Sequence, residues 1–415
     1  MDGSVGIYIS VPFCKAKCTF CNFASGAYGR DRIQPYVNRL CEEIREAHEA
    51  AEGMGVSLPR TADTIYIGGG TPSLLTASQH RQIFESLRGE FDLERDAEIT
   101  LECAPGQLAN DTLDELLRQG VNRISFGVQS FVDRESAAVG RLHTREQCEA
   151  ELARVRVAGL QEISLDLIVG LPHQTEQSWR FSVEQAIASG APHVSVYLLE
   201  VDEESRLGRE MLEQGSRYGA NATPKEDEIA DWYEWACAAL EQAGIAQYEI
   251  SNFARVGHSS RHNLKYWRRE AYTGFGLDAH SMLTAGKNAV RLANTSDLDE
   301  YLGEPAGGTS PSVGGEFRLL PRPSRRGNDE MDVIGHEAAF EESLFLGLRL
   351  NEGVDLNRLR EQFGEPTVQE TMLAFYDFQD AGLLTVRDDL IRLTARGRLL
   401  SNEVFSHLLR PVVAS

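Results

Sequence analysis

From residue 7 to residue 199 the chain repeats one pattern: a short apolar, β-branched run, a polar turn, then a longer stretch with apolar residues at helical spacing. The short runs are Ile7–Val11, Thr64–Ile67, Glu98–Glu102, Arg123–Val128, Ile163–Val169 and His193–Leu199. Between them lie amphipathic stretches, among them Tyr36–Ala51, Ala77–Leu87, Asp111–Leu117, Glu146–Ala158 and Glu176–Ala188. Strands that alternate with helices make parallel βα units with right-handed crossovers. The pattern predicts an α/β fold, a partial parallel βα barrel of six units that is incomplete or open. Ligand chemistry in such folds gathers at the carboxyl ends of the strands. That rule brings Gly68-Gly69-Gly70-Thr71-Pro72, Cys103-Ala104-Pro105-Gly106, Gly127-Val128-Gln129-Ser130, and Asp166 with Gly170-Leu171-Pro172 to one site.

Beyond the repeats, a glutamate-rich helical region (Pro224–Ala243) leads to Tyr248–Ala254, Arg261–Trp267 and Gly274–Ser281. The stretch from Gly303 to Met331 is rich in Gly, Pro, Ser and Arg and lacks periodicity, which reads as a connection. From Ile334 the pattern is helical, with Phe340, Leu344 and Leu348 on one face. The tail, Leu383–Leu409, has short β-like pieces followed by a helix. The expected domains are therefore a main unit over 1–285, a linker or insertion over 286–333, and a small helical, winged-helix-like domain over 334–415.

Composition narrows the function. The 415 residues carry a formal net charge of −22. So acidic a chain lacks the basic footprint that neutralises nucleic-acid phosphates, and it lacks a polybasic patch for anionic lipid. No apolar stretch approaches the ~20 residues of a membrane span, and no basic segment followed by an apolar run marks a secretory leader. Cys41, Cys103, Cys148 and Cys237 are scattered without pattern among seven cysteines, so a disulfide framework is not expected. A reduced, cytoplasmic protein is the expectation; a homodimer is compatible with it.

The other three cysteines, Cys14, Cys18 and Cys21, directly follow the first apolar run. Structural zinc takes four ligands in a closed tetrahedron, and no fourth Cys or His lies nearby in sequence. Three thiolates suit a 4Fe–4S cluster that keeps one iron open for an exchangeable ligand. The same spacing also fits a buried helical face, but Pro12, Lys15 and Lys17 make a poor core helix. The glycine run Gly68–Gly70 leaves backbone amides open to a ligand's polar atoms and equally suits a tight turn; it lacks the Lys-Ser/Thr pair of a phosphate loop. Glu102, Gln129, Arg141 and Asp166 follow it, as holders for an amino-acid nucleoside or as ordinary polar and salt-bridging residues.

Together these residues resemble a family. The stretches Tyr8–Cys14, Gly68–Pro72, Asn122–Phe131 and Asp166–Pro172 are similar to radical S-adenosylmethionine proteins of the coproporphyrinogen dehydrogenase (HemN-like) superfamily. The resemblance runs to about residue 285 and resumes after the connection. It implies a 4Fe–4S cluster on Cys14, Cys18 and Cys21, with S-adenosylmethionine (SAM) chelating the open iron. It also implies nucleoside contacts at Tyr8, Phe20, Gly69, Gly70, Thr71, Glu102, Gln129, Arg141 and Asp166.

One position separates two functional readings. The decarboxylating members have a further cysteine two residues after the third ligand; here that residue is Phe23, which resembles the heme chaperone branch. The segment His262-Asn263-x-x-Tyr266-Trp267 resembles that branch's heme-associated motif. A histidine imidazole is a competent axial ligand for heme iron, Tyr266 shares the helix face of His262, and Trp267 offers a flat apolar surface. The first expectation is a heme chaperone that passes heme to an acceptor protein. The alternative is an oxygen-independent coproporphyrinogen III oxidase, and a zinc-binding interaction module is a third class. The sequence departs from the family at Ser10, where histidine is usual, at Ala104, where asparagine is common, and at His173 and Asp278, where glycine is common.

Overall fold

The computed structural model describes residues 3–286, 288–303 and 332–408. Six parallel strands, β1 (Val5–Val11), β2 (Thr61–Gly69), β3 (Asp92–Cys103), β4 (Arg123–Gln129), β5 (Glu162–Val169) and β6 (His193–Leu198), pair in chain order. Every predicted run is a strand. β3 starts six residues earlier than its apolar run, because Asp92 and Leu93 pair with Thr61 and Ala62 in a largely exposed extension without apolar alternation. β1 also pairs in parallel with Tyr272–Phe275, and β6 pairs antiparallel with Asn252–Ala254. The two ends of the six-strand array therefore meet different neighbours, and the barrel stays open within a 12-stranded sheet.

Side chains alternate along these strands with the pleat's period of two. Ile7, Ile9, Ile65, Ile67, Ile99, Leu101, Ile124, Phe126, Leu165, Leu167, Val194 and Val196 belong to the main apolar core. The intervening positions are polar: Tyr8 and Ser10, Thr64 and Tyr66, Glu98 and Glu102, Arg123 and Ser125, Ser164 and Asp166, His193 and Ser195. Helices cover the apolar face, among them Ile33–Arg45, Ala77–Glu90, Arg145–Val157 and Glu176–Ala188. The stretch expected as one helix over Tyr36–Ala51 is two, because Glu46 leaves helical geometry at φ −95, ψ 0.

The domain boundary needs a correction. Asn288–Ala293 forms a strand antiparallel to His280–Ala285, and a helix follows at Leu298–Tyr301. Val290, Leu298 and Tyr301 join the main core, so the main unit continues past 285 to at least residue 302. Only weakly apolar, this hairpin gave no clear signal in the sequence. Residues 304–331 of the expected connection lie outside the described residues. The small domain has its own core, built from Phe340, Leu344 and Leu348 of helix His336–Arg349 together with Leu356, Phe375, Ile391 and Val404. Its short strands Val354–Asp355, Leu384–Arg387 and Leu390–Leu393 form one three-stranded antiparallel sheet.

Two of the family departures carry backbone strain. His173 and Asp278 adopt φ of 68° and 57°, in the left-handed region where glycine is at ease. The His173 side chain hydrogen-bonds only weakly at the surface, with Arg134 at 3.3 Å, while its N–H donates to Ala222 O at 2.8 Å, a bond that glycine would keep. Substituting His173→Gly is therefore expected to stabilise the protein by about 1 kcal/mol, read as a higher urea midpoint with an unchanged slope. A midpoint that falls would mean that the imidazole contact outweighs the strain.

Candidate cluster and nucleoside site

The cysteine loop leaves the carboxyl end of β1 and is tied down on all sides. Cys14 N–H donates to Gly26 O at 2.9 Å and Gly26 N–H to Pro12 O at 2.9 Å, which closes the loop on itself. Thr19 N–H reaches Val139 O at 3.1 Å, and Leu207 N–H reaches Thr19 O at 2.8 Å. Asn22 donates to Asp202 at 2.6 Å, and Arg206 donates to the Lys17 carbonyl. Cys14, Cys18 and Cys21 are free and half-buried. The Arg141 guanidinium lies 3.5 Å from Cys18 Sγ, a cation beside a group that acts as a thiolate when it binds iron. Among the described residues no three His, Cys, Asp or Glu side chains are gathered to hold one metal ion. A cubane cluster makes a different demand, since each thiolate reaches its own iron.

The glycine run packs against this loop so closely that side chains are excluded. A Cβ on Gly70 would lie 2.8 Å from Val11 O, and one on Gly68 would lie 2.8 Å from the Glu102 carboxyl carbon. Gly70 N–H donates to Val11 O and Thr71 N–H to Phe13 O, each at 2.8 Å. Gly69, at φ +101°, turns its N–H to Glu102 Oε2 at 3.1 Å. Tyr66 donates its hydroxyl to the other oxygen of Glu102 at 2.9 Å, and its ring stacks against Tyr8 with centroids 6.2 Å apart. Burial pushes the Glu102 carboxyl up to about 7, and the nearby charge of Asp166 adds to this. Burial likewise pushes Asp166 up to about 6, against the hydrogen bonds from Ser195 and Ser125 that favour its charged form.

Gln129 ends β4 at φ 66°, just past a register shift opposite Leu167. Strain of this kind concentrates at functional sites. Its Oε1 and the Nε of Arg141 are buried and find no hydrogen-bond partner among the described residues. Orphaned polar atoms of both signs beside two high-pKa carboxylates suit a zwitterionic ligand, so these residues fit an amino-acid nucleoside. Phe20 is half-buried and packs on the small cluster of Val139, Ile168, Leu171 and Leu207. Phe23 is 63% exposed. Tyr66, Ser125 and Ser195 were not singled out from the sequence, although polar positions two apart within each run mark this lining.

His262 lies at the opposite end of the barrel. Glu98 accepts from Ser260 Oγ, Arg261 N–H and His262 N–H at 3.2, 3.0 and 2.9 Å, which satisfies the first donors of helix Arg261–Trp267. Arg123, the first residue of β4, donates to His258 O at 3.0 Å. The segment therefore plugs the amino ends of the strands, while the cysteines stand at the carboxyl ends. The buried imidazole contacts Thr64 Oγ1 through Nδ1 and the Tyr266 hydroxyl through Nε2, each at 2.9 Å. Burial, reinforced by Lys265, lowers its pKa to about 3, so it is neutral. Its ring stacks on Tyr66 at 5.4 Å, which links the two ends of the barrel through one aromatic column. Asn263 and Trp267 on the same short helix are half-buried.

Comparison with known proteins agrees with this architecture. The Radical SAM superfamily model matches residues 8–186, and the HemN C-terminal domain model matches residues 334–400. The heme chaperone HemW of Bacillus subtilis is 31% identical over 407 residues, covering 97% of this chain and 98% of that protein. The Escherichia coli heme chaperone HemW is 35% identical over 281 residues, covering 68% and 70%. The solved structure of coproporphyrinogen III oxidase (HemN) from Escherichia coli superposes with a TM-score of 0.77 at 23% identity, covering 98% of this chain and 90% of that one, which confirms the fold. With an open α/β barrel, a triple-cysteine loop and full-length identity of this kind, the chain belongs to the heme chaperone HemW family of radical SAM proteins.

Proposed function

We propose that this protein binds heme and delivers it to an acceptor protein, with a 4Fe–4S cluster on Cys14, Cys18 and Cys21 and with SAM in the space lined by Tyr8, Gly69, Gly70, Thr71, Glu102, Gln129, Arg141 and Asp166. The observation that carries the reading is identity to proteins named heme chaperones across 97% of this chain. Phe23 supports it, since an exposed phenyl ring stands where the decarboxylating relatives are expected to have a further cysteine. When bound, the cluster supplies an open iron and one-electron reducing power. The chain's own part is to hold the loop rigid, to keep Arg141 against Cys18, and to set Glu102 and Asp166 around the ligand. Among the described residues no helix is long and apolar enough to cross a membrane.

His262 is the expected axial ligand. Its neutral imidazole is the ligating form, so no proton competes with iron near pH 7. Both ring nitrogens are engaged, so ligation requires His262 to leave Thr64 or Tyr266, and loading is expected to be slower than simple diffusion into an open pocket. Heme titrated into anaerobically reconstituted protein should give a saturable Soret band near one heme per chain. His262→Ala should weaken that binding about tenfold, as loss of a metal ligand or its support does, with iron content as the check on folding. Cluster-loaded protein that binds no heme would sink the chaperone reading and bring the decarboxylase forward.

A further inference from the structure

The end of the His262 helix meets the small C-terminal domain through an interface that is polar rather than apolar. The two domains have separate cores, and Leu399 is an apolar side chain of the small domain that packs against the main one. Three features stand side by side at the helix end, and a side chain of the small domain occupies each. The guanidinium of Arg349 lies 4.3 Å from the ring centroid of Trp267. Glu352 takes Arg268 fork to fork, at 3.1 and 3.2 Å. Glu342 takes Arg269 at 3.0 Å and also pairs with Arg291 of the main domain at 2.9 Å. Arg269 is itself strained, at φ 53°.

We infer that Arg268 and Arg269 are the carboxylate-binding pair for a porphyrin stacked on Trp267, and that Glu352 and Glu342 of the small domain occupy them in the closed form. This inference rests on the heme reading above. A flat apolar ring bordered by two guanidinium groups is complementary to a porphyrin with two carboxylate arms, because arginine takes carboxylates in planar, paired geometry. In the closed form each carboxylate stand-in comes from the small domain, and the ring face carries Arg349 instead of a porphyrin.

The interface is also built to part. Polar contacts between domains favour relative motion. Trp267 Nε1, Arg269 Nη2, Arg349 Nε and Asn351 Oδ1 are all buried there without a hydrogen-bond partner among the described residues. Buried polar groups left unpaired weaken the closed arrangement. The small domain thus competes with heme for Arg268, Arg269 and Trp267, and its release opens them.

The test is heme titration of the full chain followed by the Soret band. The double variant Glu342→Gln/Glu352→Gln should bind heme about fivefold tighter than wild type, and Arg268→Ala/Arg269→Ala about fivefold weaker. Both variants break the Arg268–Glu352 and Arg269–Glu342 pairs, and the glutamine variant loses Arg291–Glu342 as well, so a purely structural role would move them in the same direction. Heme dimethyl ester, whose carboxylates are masked, should bind the arginine variant at least as tightly as wild type, because the variant loses the small domain's hold on Trp267 and no contact to the ester. Shifts of the same sign, or an arginine variant that loses the ester as it loses heme, would overturn the inference. Heme binding that depends on His262 but ignores all four substitutions overturns it alone. A wild type that binds no heme removes the heme reading and this inference with it.

Discussion

Replacing any one of Cys14, Cys18 or Cys21 by serine is expected to abolish cluster assembly, with iron falling from about four per chain to near zero and the broad visible absorbance lost. The expectation is sharp because the other cysteines provide internal controls. Cys41, Cys103 and Cys148 are 0%, 3% and 1% exposed and sit in the main core. Burial holds the thiols of Cys103 and Cys148 up to about 12 and that of Cys237 up to about 11, which keeps them protonated and inert. Serine at any of those four positions should leave iron and sulfide unchanged, with a cost only in packing. The loop itself should survive loss of a thiol. Its shape depends on the backbone bonds of Cys14 with Gly26 and of Thr19 with Val139 and Leu207, and no sulfur takes part in them. Thermal unfolding of the reconstituted variants separates loss of a ligand from loss of the fold. Full iron retention in the Cys18→Ser protein would show that the ligand set is wrong.

Much of the barrel was legible because each strand is a short apolar run and each helix an amphipathic one, and these two periods are read directly. The extended start of β3 was not, since Asp92–Asp96 pairs by backbone alone and carries no apolar alternation. The strand Tyr272–Phe275 escaped for a similar reason: it has four residues, and its parallel pairing to β1 is a long-range event. The strand Asn288–Ala293, which moves the domain boundary past 285, buries only Val290, which is too weak a pattern to separate it from a linker. At the site, the cysteines and the glycine run announced themselves through spacing. The placement of His262 did not. A His-Asn-x-x-Tyr-Trp string says nothing of which barrel end it plugs, and that depends on the single carboxylate of Glu98, 164 residues earlier, taking its helix start. The contact between Trp267 and Arg349 was equally invisible, because it joins two domains across the whole connection.

Glu102→Gln is expected to stabilise the ligand-free protein at pH 8 and to weaken SAM binding there. The folded-state pKa of about 7 lies above the ordinary 4.5, so between those values the folded protein holds the proton more tightly than the unfolded chain. Stability associated with this group is fully present below pH 4.5, falls as pH rises toward 7, and is level above it. The size is at most about 3 kcal/mol, less for screening in the open barrel. Asp166, raised from 3.8 to about 6, adds a loss of the same sign over its own window. The glutamine avoids the ionisation cost but must sacrifice one of two accepted hydrogen bonds, from Tyr66 or Gly69, worth about 1 kcal/mol. A net gain of roughly 1–2 kcal/mol at pH 8 and a flatter pH profile should follow, measured by urea unfolding from pH 5 to 8. SAM should respond in the opposite direction. Its cationic groups favour the ionised carboxylate, so wild-type affinity should rise with pH between 5.5 and 8, whereas the variant should bind about 10–100-fold more weakly with little pH dependence. Opposite signs for stability and binding would identify Glu102 as a carboxylate kept for its ligand at the expense of the fold. A variant that is both less stable and unchanged in SAM affinity would assign it to the structural network of Tyr66 and Gly69 alone.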